Sequence, residues 1–470
     1  MRAPTLKLAD YEYMALNNPF MHFAFWAGAG AGKTFTGSQW AIKQVKEHPN
    51  LTGFIGANTY DQLSQATLRE LFFWLDAYGF EWAIDRRPPE EWEPKRRLKS
   101  YNNVLSVRYK NQVVTIFTRV LGDPNPLRGI QFSWYWIDET RDTPETTHDV
   151  ILSRLRESKH IRGFVTSTTN GEDWSYKRFV RGSDGKLYGS MHVPTKVAVD
   201  SGLLTKIYYE TMLMSYSPLM AAQELDAKHV NVLGGQAYYA ASELNRKTAA
   251  PWGDARPNLD RPLIVGCDFN FQPAPHIWMI GQVGPFGFHD CIHWFGHLCE
   301  VEASTEHMAK MLLMRYPRFF YRIYGDATGN LGTTSNAGIT DYNVIARELG
   351  EAGVGFTIDV DQHNPLVRDR VENMNARFKN ALGEVRQTYD PQGCPEFDAD
   401  LRVVGWKQTV QRGRGKLDNG GDVRRTHASD ASGYAVFKLF PPTRRGSIIP
   451  SLPSSVRPDV TLGYDETEIG

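Results

Sequence analysis

Between residue 20 and about residue 170, short apolar runs alternate with segments whose apolar positions recur every three or four residues. That pattern predicts strands alternating with amphipathic helices. MHFAFWAG (21–28) and LTGFIGAN (51–58) read as buried strands, with KTFTGSQWAIKQVKEH (33–48) as the helix between them. DQLSQATLRELFFWLDAYG (61–79) sets Leu63, Leu68, Leu71, Phe72 and Leu75 on one helical face. After the polar loop 88–100, NVLSVRYKNQVVTIFTRV (103–120) reads as a hairpin turning at Lys110-Asn111-Gln112. FSWYWIDE (132–139) and IRGFVTSTTN (161–170) read as further buried strands. The alternation predicts an α/β domain with a largely parallel sheet.

Residues 190–250 read as mainly helical, and 251–262 (PWGDARPNLDRP) read as a linker rich in Pro, Gly and charge. A second strand-rich unit opens with LIVGCDFN (263–270) and continues as a three-strand meander through HIWMIGQV (276–283) and FHDCIHWF (288–295). It then alternates helix and strand to about residue 440. The expected domains are therefore 1–190, a helical linker subdomain 191–258, and a second α/β domain 259–442. A flexible tail, 443–470, has Pro, Ser and late acids but little apolar periodicity.

Length and charge change this picture little. A chain of 470 residues exceeds one hydrophobic core. No apolar run reaches the ~18 residues of a membrane span, so the expectation is a cytoplasmic protein with no membrane contact. The 53 basic and 53 acidic side chains balance, which argues against a passive, basic nucleic-acid coat. One local exception is 402–425, with seven Lys/Arg against two Asp. HDCIHWFGHLCE (289–300) gathers three His and two Cys, but His289, Cys291 and His293 alternate as a strand does. The expectation is a structural strand rather than a zinc site.

Candidate chemistry begins at AGAGAGKT (27–34), which follows a strand and opens a helix, the setting of a phosphate-binding loop. Backbone N–H groups of Gly28, Ala29, Gly30, Ala31 and Gly32 would wrap phosphates, with Lys33 reaching the terminal ones and Thr34 holding Mg²⁺. Ala27 stands where the usual pattern has its first glycine, a tolerable change if its φ is negative. YWIDET (135–140) is an apolar strand ending in two acids. Asp138 is expected at the Mg²⁺ shell, with Glu139 activating the attacking water. Ser167, Thr168, Thr169 and Asn170 end the next strand, where ligands gather in open α/β sheets, and Asn170 is a candidate γ-phosphate sensor. The roughly thirty residues between these strand ends suit a motor ATPase, and no guanine-selecting NKxD is present, so the nucleotide is expected to be ATP.

In the second unit, Asp268 and Asp326 end apolar strands, and Asp430 opens a helix read from THASDASGYAVFKLF (426–440). Three carboxylates converging on one rim suit two divalent ions clamping a phosphodiester attack. On a meander followed by helix–strand alternation, they suggest a ribonuclease H-like nuclease. The basic segment 402–425 would hold the DNA backbone, with Asp422 and His427 as accessory ligands.

With both units in view, the chain resembles the large terminase subunit of tailed bacteriophages. The resemblance rests on GAGAGKT, LRGIQFSWYWIDE, SRLR, STTNGEDW, QELDAKHV, GGQAYY, VGCDFN, YGDATGN and HASDA, in family order, and covers residues 20–440. It implies a P-loop (ASCE-type) ATPase domain with a largely parallel sheet, followed by a ribonuclease H-like mixed α/β nuclease domain. It implies Mg²⁺ with ATP, and two Mg²⁺ or Mn²⁺ held by Asp268, Asp326 and Asp430. Arg128, eleven residues before Glu139, matches a position where some members place an arginine finger acting on a neighbouring subunit. The partners implied are double-stranded viral DNA, a portal protein, a small terminase subunit and a homo-oligomeric ring, a pentamer, on the procapsid in the host cytoplasm. The tail is expected to dock to the portal. Two departures stand out: Ala29 and Ala31 occupy the region where the family often carries a loop arginine, and 8–16 (LADYEYMAL) lacks an adenine-reading Gln. Two other classes remain as alternatives: a helicase-nuclease of recombination or repair, and a noncatalytic DNA-binding scaffold.

Overall fold

The computed structural model describes residues 6–92, 98–232, 234–270, 273–287, 289–331, 338–407 and 415–442. The expected tail 443–470 and part of the basic segment, 408–414, lie outside the described residues. The chain folds as two compact units. One runs up to Tyr209 and includes Ala222–Asn231, and the other takes Glu210–Ala221 and the chain from Val232.

In chain order, the first unit begins with α1 (Asp10–Leu16), β1 (His22–Ala27), α2 (Lys33–Glu47) and β2 (Gly53–Ala57). A π-helical turn, Gln62–Leu68, runs into α3 (Arg69–Ala77). β3 (Glu81–Ile84), β4 (Val104–Tyr109), β5 (Gln112–Val120), β6 (Trp134–Asp138), α4 (Glu145–Arg154) and β7 (Arg162–Ser167) follow. The short α5 (Trp174–Tyr176), β8 (Tyr188–Val193) and α6 (Thr195–Asp200) complete the unit. One sheet, ordered β3-β4-β5-β2-β6-β7-β1-β8, holds all eight strands. Strands β5, β2, β6, β7, β1 and β8 pair in parallel, while β3 and β4 form an antiparallel edge. β1, β2 and β6 are buried along their whole length, as strands with both faces covered must be, which is why they read as unbroken apolar runs. The expected single helix over 61–79 begins instead as the wider π-turn.

The stretch 190–250 differs in detail from its helical reading. β8 ends at Val193, and the helices are α6, α7 (Lys206–Ser215) and α8 (Pro218–Glu224), with turns, coil and one short 3₁₀ helix, Glu243–Asn245, among the described residues beyond. β8 takes its strand form from parallel pairing with β1, a tertiary contact that local periodicity does not carry.

The second unit forms a sheet ordered β13-β12-β9-β10-β11-β14. Its strands are β9 (Leu263–Asp268), β10 (His276–Phe286), β11 (His289–Glu300), β12 (Tyr321–Gly325), β13 (Phe356–Ile358) and β14 (Gln387–Tyr389). β9, β10 and β11 form the antiparallel meander, and β12 and β13 add in parallel beside β9. From β11 to β13 the spatial order is thus 3-2-1-4-5, that of a ribonuclease H-like domain. The helices are α9 (Thr305–Arg315), α10 (Asp341–Glu351), α11 (Val367–Phe378), α12 (Pro395–Val403) and α13 (His427–Leu439). α13 crosses β9 so closely that a Cβ on Gly266 would lie 2.4 Å from the Ala431 carbonyl oxygen.

The His/Cys-rich stretch is β11, with Cys291 and His293 buried. His293 Nδ1 lies 2.8 Å from Thr388 Oγ1, and all four cysteines are free.

Candidate nucleotide and nuclease sites

The loop 28–32 joins the end of β1 to the start of α2. Gly30 and Gly32 both sit at φ +76°, a region glycine enters without a Cβ penalty, and Gly32 caps α2. Ala27 is the buried last residue of β1 and is absent from the left-handed region, so a Cβ is tolerated where the usual pattern has glycine. Gly28 is constrained differently. A Cβ there would lie 2.4 Å from the Leu225 carbonyl oxygen and 2.3 Å from Thr195 Oγ1. Lys33 Nζ donates to the carbonyls of Ala27 (3.1 Å) and Gly28 (3.2 Å), so the lysine and the N-terminus of α2 focus positive potential on the loop.

β6 ends at Asp138, opposite Thr166 of β7. β7 lies between β1 and β6, so the phosphate loop, the acids and 167–170 share the carboxyl edge of neighbouring parallel strands. Three hydroxyls donate to the buried Asp138 carboxylate: Thr166 at 2.7 Å, Thr67 at 2.9 Å and Thr34 at 3.1 Å. Burial first, and the neighbouring Glu139 second, push Asp138 up to about 6, against the pull of these hydroxyls. Glu139 sits at φ +56°, ψ 65°, a left-handed conformation that costs a non-glycine residue energy and recurs at functional sites. The Asn58 amide donates to the Glu139 carbonyl, and Thr168 Oγ1 lies 3.4 Å from Glu139 Oε2. Asn170 Nδ2 donates to the Arg141 carbonyl at 3.1 Å. Arg141 in turn forms a buried ion pair with Glu224, 2.7 Å long, and the Glu224 carbonyl accepts from the Ala29 N–H. Arg128 is exposed, in the turn after Asn125–Leu127.

Sequence reasoning missed Thr67, Thr166, Asn58, Arg141 and Glu224. Thr166 carried a signal, being the β7 residue just before the polar strand end. The others reach the site only through tertiary contacts.

In the second unit, β9 and β12 run parallel with Cys267 opposite Gly325. The following residues, Asp268 and Asp326, therefore leave adjacent strand ends ~4.8 Å apart in the pairing direction. Asp430 lies in the first turn of α13, next to Ala431, which touches β9. Asp268 Oδ2 accepts from Asn270 Nδ2 at 2.5 Å and lies 2.9 Å from His427 Nδ1. Asp326 Oδ1 accepts from Asn364 Nδ2 and the Thr328 N–H, both at 2.7 Å. Asp430 Oδ1 accepts from Arg370 Nη2 at 2.5 Å. Burial pushes Asp430 up to about 6; Arg370 opposes this, and Asp268 and Asp326 add to it, so the three acids sense one another's charge. Among the described residues, no three His, Cys, Asp or Glu side chains form a ready metal cluster. Each acid is held instead by an amide, imidazole or guanidinium on this chain. The all-carboxylate set suits a hard divalent cation. Asp422 bonds to Arg425 and the Arg424 N–H. Arg402, Arg424 and Arg425 of the basic segment are ion-paired with Asp398, Glu396 and Asp400.

The sheet order, the phosphate loop and Asp138–Glu139 define a P-loop ATPase unit, followed by a ribonuclease H-like unit. The family model described as terminase large subunit, T4likevirus-type, N-terminal, matches residues 24–246. That match takes in the phosphate loop and Asp138–Glu139 and ends before β9. The large terminase of a thermophilic bacteriophage shares the fold at 15% identity and TM-score 0.57, over 92% of this chain and 99% of that one. Its complexes with ADP (TM-score 0.56, covering 100% of that chain) and with ATP-γ-S (0.55, covering 99%) are also 15% identical and cover 92% of this chain. No curated protein matches the chain. No helix of the described residues is long and apolar enough to cross a membrane.

Proposed function

We propose that the first unit hydrolyses ATP to translocate double-stranded viral DNA through a portal into a procapsid, and that the second cuts concatemeric DNA. The loop 28–32 and Lys33 bind the phosphates, Thr34 and Asp138 hold Mg²⁺, and Glu139 takes the proton of the attacking water. Asn170, bonded to the Arg141 carbonyl, reports the γ-phosphate, and Arg128 reaches the site of a neighbouring subunit in a pentameric ring. In the second unit Asp268, Asp326 and Asp430 hold two Mg²⁺ or Mn²⁺, which when bound supply a clamp on the attacking and leaving oxygens of a phosphodiester. Asn270, His427, Asn364 and Arg370 orient these carboxylates. The small terminase subunit delivers the DNA, in the host cytoplasm. The phosphate loop facing a carboxylate that carries three hydroxyl donors is the observation that carries this reading. The test is packaging: with procapsids, portal and ATP, linear DNA becomes resistant to added nuclease, and Lys33→Ala removes that resistance. Resistance with Lys33→Ala equal to the parent's would overturn it.

A further inference from the structure

Thr67 is fully buried, lies seventy-one residues from Asp138 in the chain, and donates to its Oδ2 at 2.9 Å. The element presenting it is unusual. Gln62–Leu68 is a seven-residue π-helix, a form that is rare, occurs mostly as single turns and is frequent at functional sites. Its start is fixed by reciprocal bonds between Thr59 and Gln62, both 3.2 Å. A π-turn advances each residue by a smaller angle than the 100° of an α-helix. Over the five residues from Gln62 to Thr67 the difference accumulates to roughly a quarter turn. An α-helical path from the same start would swing the Thr67 hydroxyl away from Asp138. The same connection grips the neighbouring residue too, because Asn58, just after β2, donates to the Glu139 carbonyl and accepts from Thr143 Oγ1 at 2.5 Å.

We propose that the π-turn serves to hold Thr67 on Asp138, and that Thr67 is a positioning residue for the magnesium–nucleotide centre. This rests on the reading of Thr34 and Asp138 as the residues that hold Mg²⁺. With the Thr34 oxygen committed to the ion, Thr67 and Thr166 are the side chains that fix the Asp138 carboxylate. Thr67 therefore acts on the magnesium-dependent part of nucleotide binding and leaves the phosphate loop's own contacts untouched.

The test uses the full chain, a fluorescent N-methylanthraniloyl-ADP, and Thr67→Val and Thr67→Ser. Valine keeps the shape and removes the donor, while serine keeps the donor. Thr67→Val is expected to need about tenfold more free Mg²⁺ for half-maximal binding, as befits one lost bond to a charged group. Its affinity in EDTA should equal the parent's, and Thr67→Ser should follow the parent in both conditions. Amide exchange in 62–68 should slow on adding Mg²⁺ and ADP to the parent, and slow less in Thr67→Val. A parental Mg²⁺ dependence in Thr67→Val overturns the proposal. So does an equal loss of binding with and without Mg²⁺, which would make Thr67 a support of the fold alone. A parent whose nucleotide binding ignores Mg²⁺ would instead bring down the reading of Thr34 and Asp138, and this proposal with it.

Discussion

Replacing Glu224 by Leu should destabilise the first unit by about 3–5 kcal/mol, the cost of leaving a buried charge without its partner. Arg141 and Glu224 are 2.7 Å apart, with side-chain exposures of only 9% and 1%, so solvent cannot take over when one is removed. The backbone links through the same residues, from Ala29 N–H to the Glu224 carbonyl and from Asn170 to the Arg141 carbonyl, survive either substitution. Glu224→Leu also takes an acceptor from Gln223 Nε2, 3.5 Å away, so the share that belongs to the charges is the coupling between the two positions. Arg141→Met alone should cost a similar amount. The double variant Arg141→Met/Glu224→Leu should regain most of it, because buried ion pairs exchange for apolar groups of similar volume at little net cost. Urea denaturation followed by tryptophan fluorescence, closed as a double-mutant cycle, gives the coupling directly. A coupling energy near zero, or single variants costing under about 1 kcal/mol, would refute the reasoning.

Burial pushes Glu372 from 4.5 up to about 7, against hydrogen bonds from Ser217, Tyr239 and Asn375. The folded state therefore favours the protonated acid; the stabilisation is complete below about pH 4.5 and is lost as pH rises through 7, about 3 kcal/mol in all. Thermal melting of Glu372→Gln should fall less steeply between pH 5 and 8 than that of the parent, and an identical slope would count against it. Glu139→Gln should bind nucleotide normally yet stall hydrolysis, since an amide accepts no proton; turnover at the parent rate would remove Glu139 from its role. Mixing Arg128→Ala with Glu139→Ala subunits should restore some ATPase activity in an assembled ring, and no recovery where parent subunits assemble would argue against action in trans.

Much of the first unit was legible because its signals are local. The Gly-Lys-Thr after an unbroken apolar strand and the Asp138–Glu139 strand end each fit within one window of chain, and the structure puts them on one sheet edge. The meander β9–β11 was legible for the same reason. Where partners are far apart in sequence, the text of the chain was silent. Thr67 reaches Asp138 only because a π-turn replaces the expected helix, and Arg370 meets Asp430 across sixty residues. The helical reading of 190–250 ran over the end of β8, which is a strand because β1 offers it a parallel partner. The charges of 402–425 suggested a segment that holds a DNA backbone. Among the described residues, three of its arginines are instead paired with acids, chiefly on α12, a pairing that residue counts do not register.

On this reading, one chain carries two chemistries on separate sets of residues. Plasmid cleavage measured beside ATP hydrolysis, with Mg²⁺ or Mn²⁺, tests it most directly in the parent, Asp326→Asn and Lys33→Ala. Asp326 lies in the second unit, bonded to Asn364 and the Thr328 N–H, whereas Lys33 lies on the phosphate loop. Asp326→Asn should hydrolyse ATP at the parent rate and leave plasmid intact, and Lys33→Ala should hydrolyse no ATP. Full cleavage by Asp326→Asn, or parental ATP hydrolysis by Lys33→Ala, would contradict the claim.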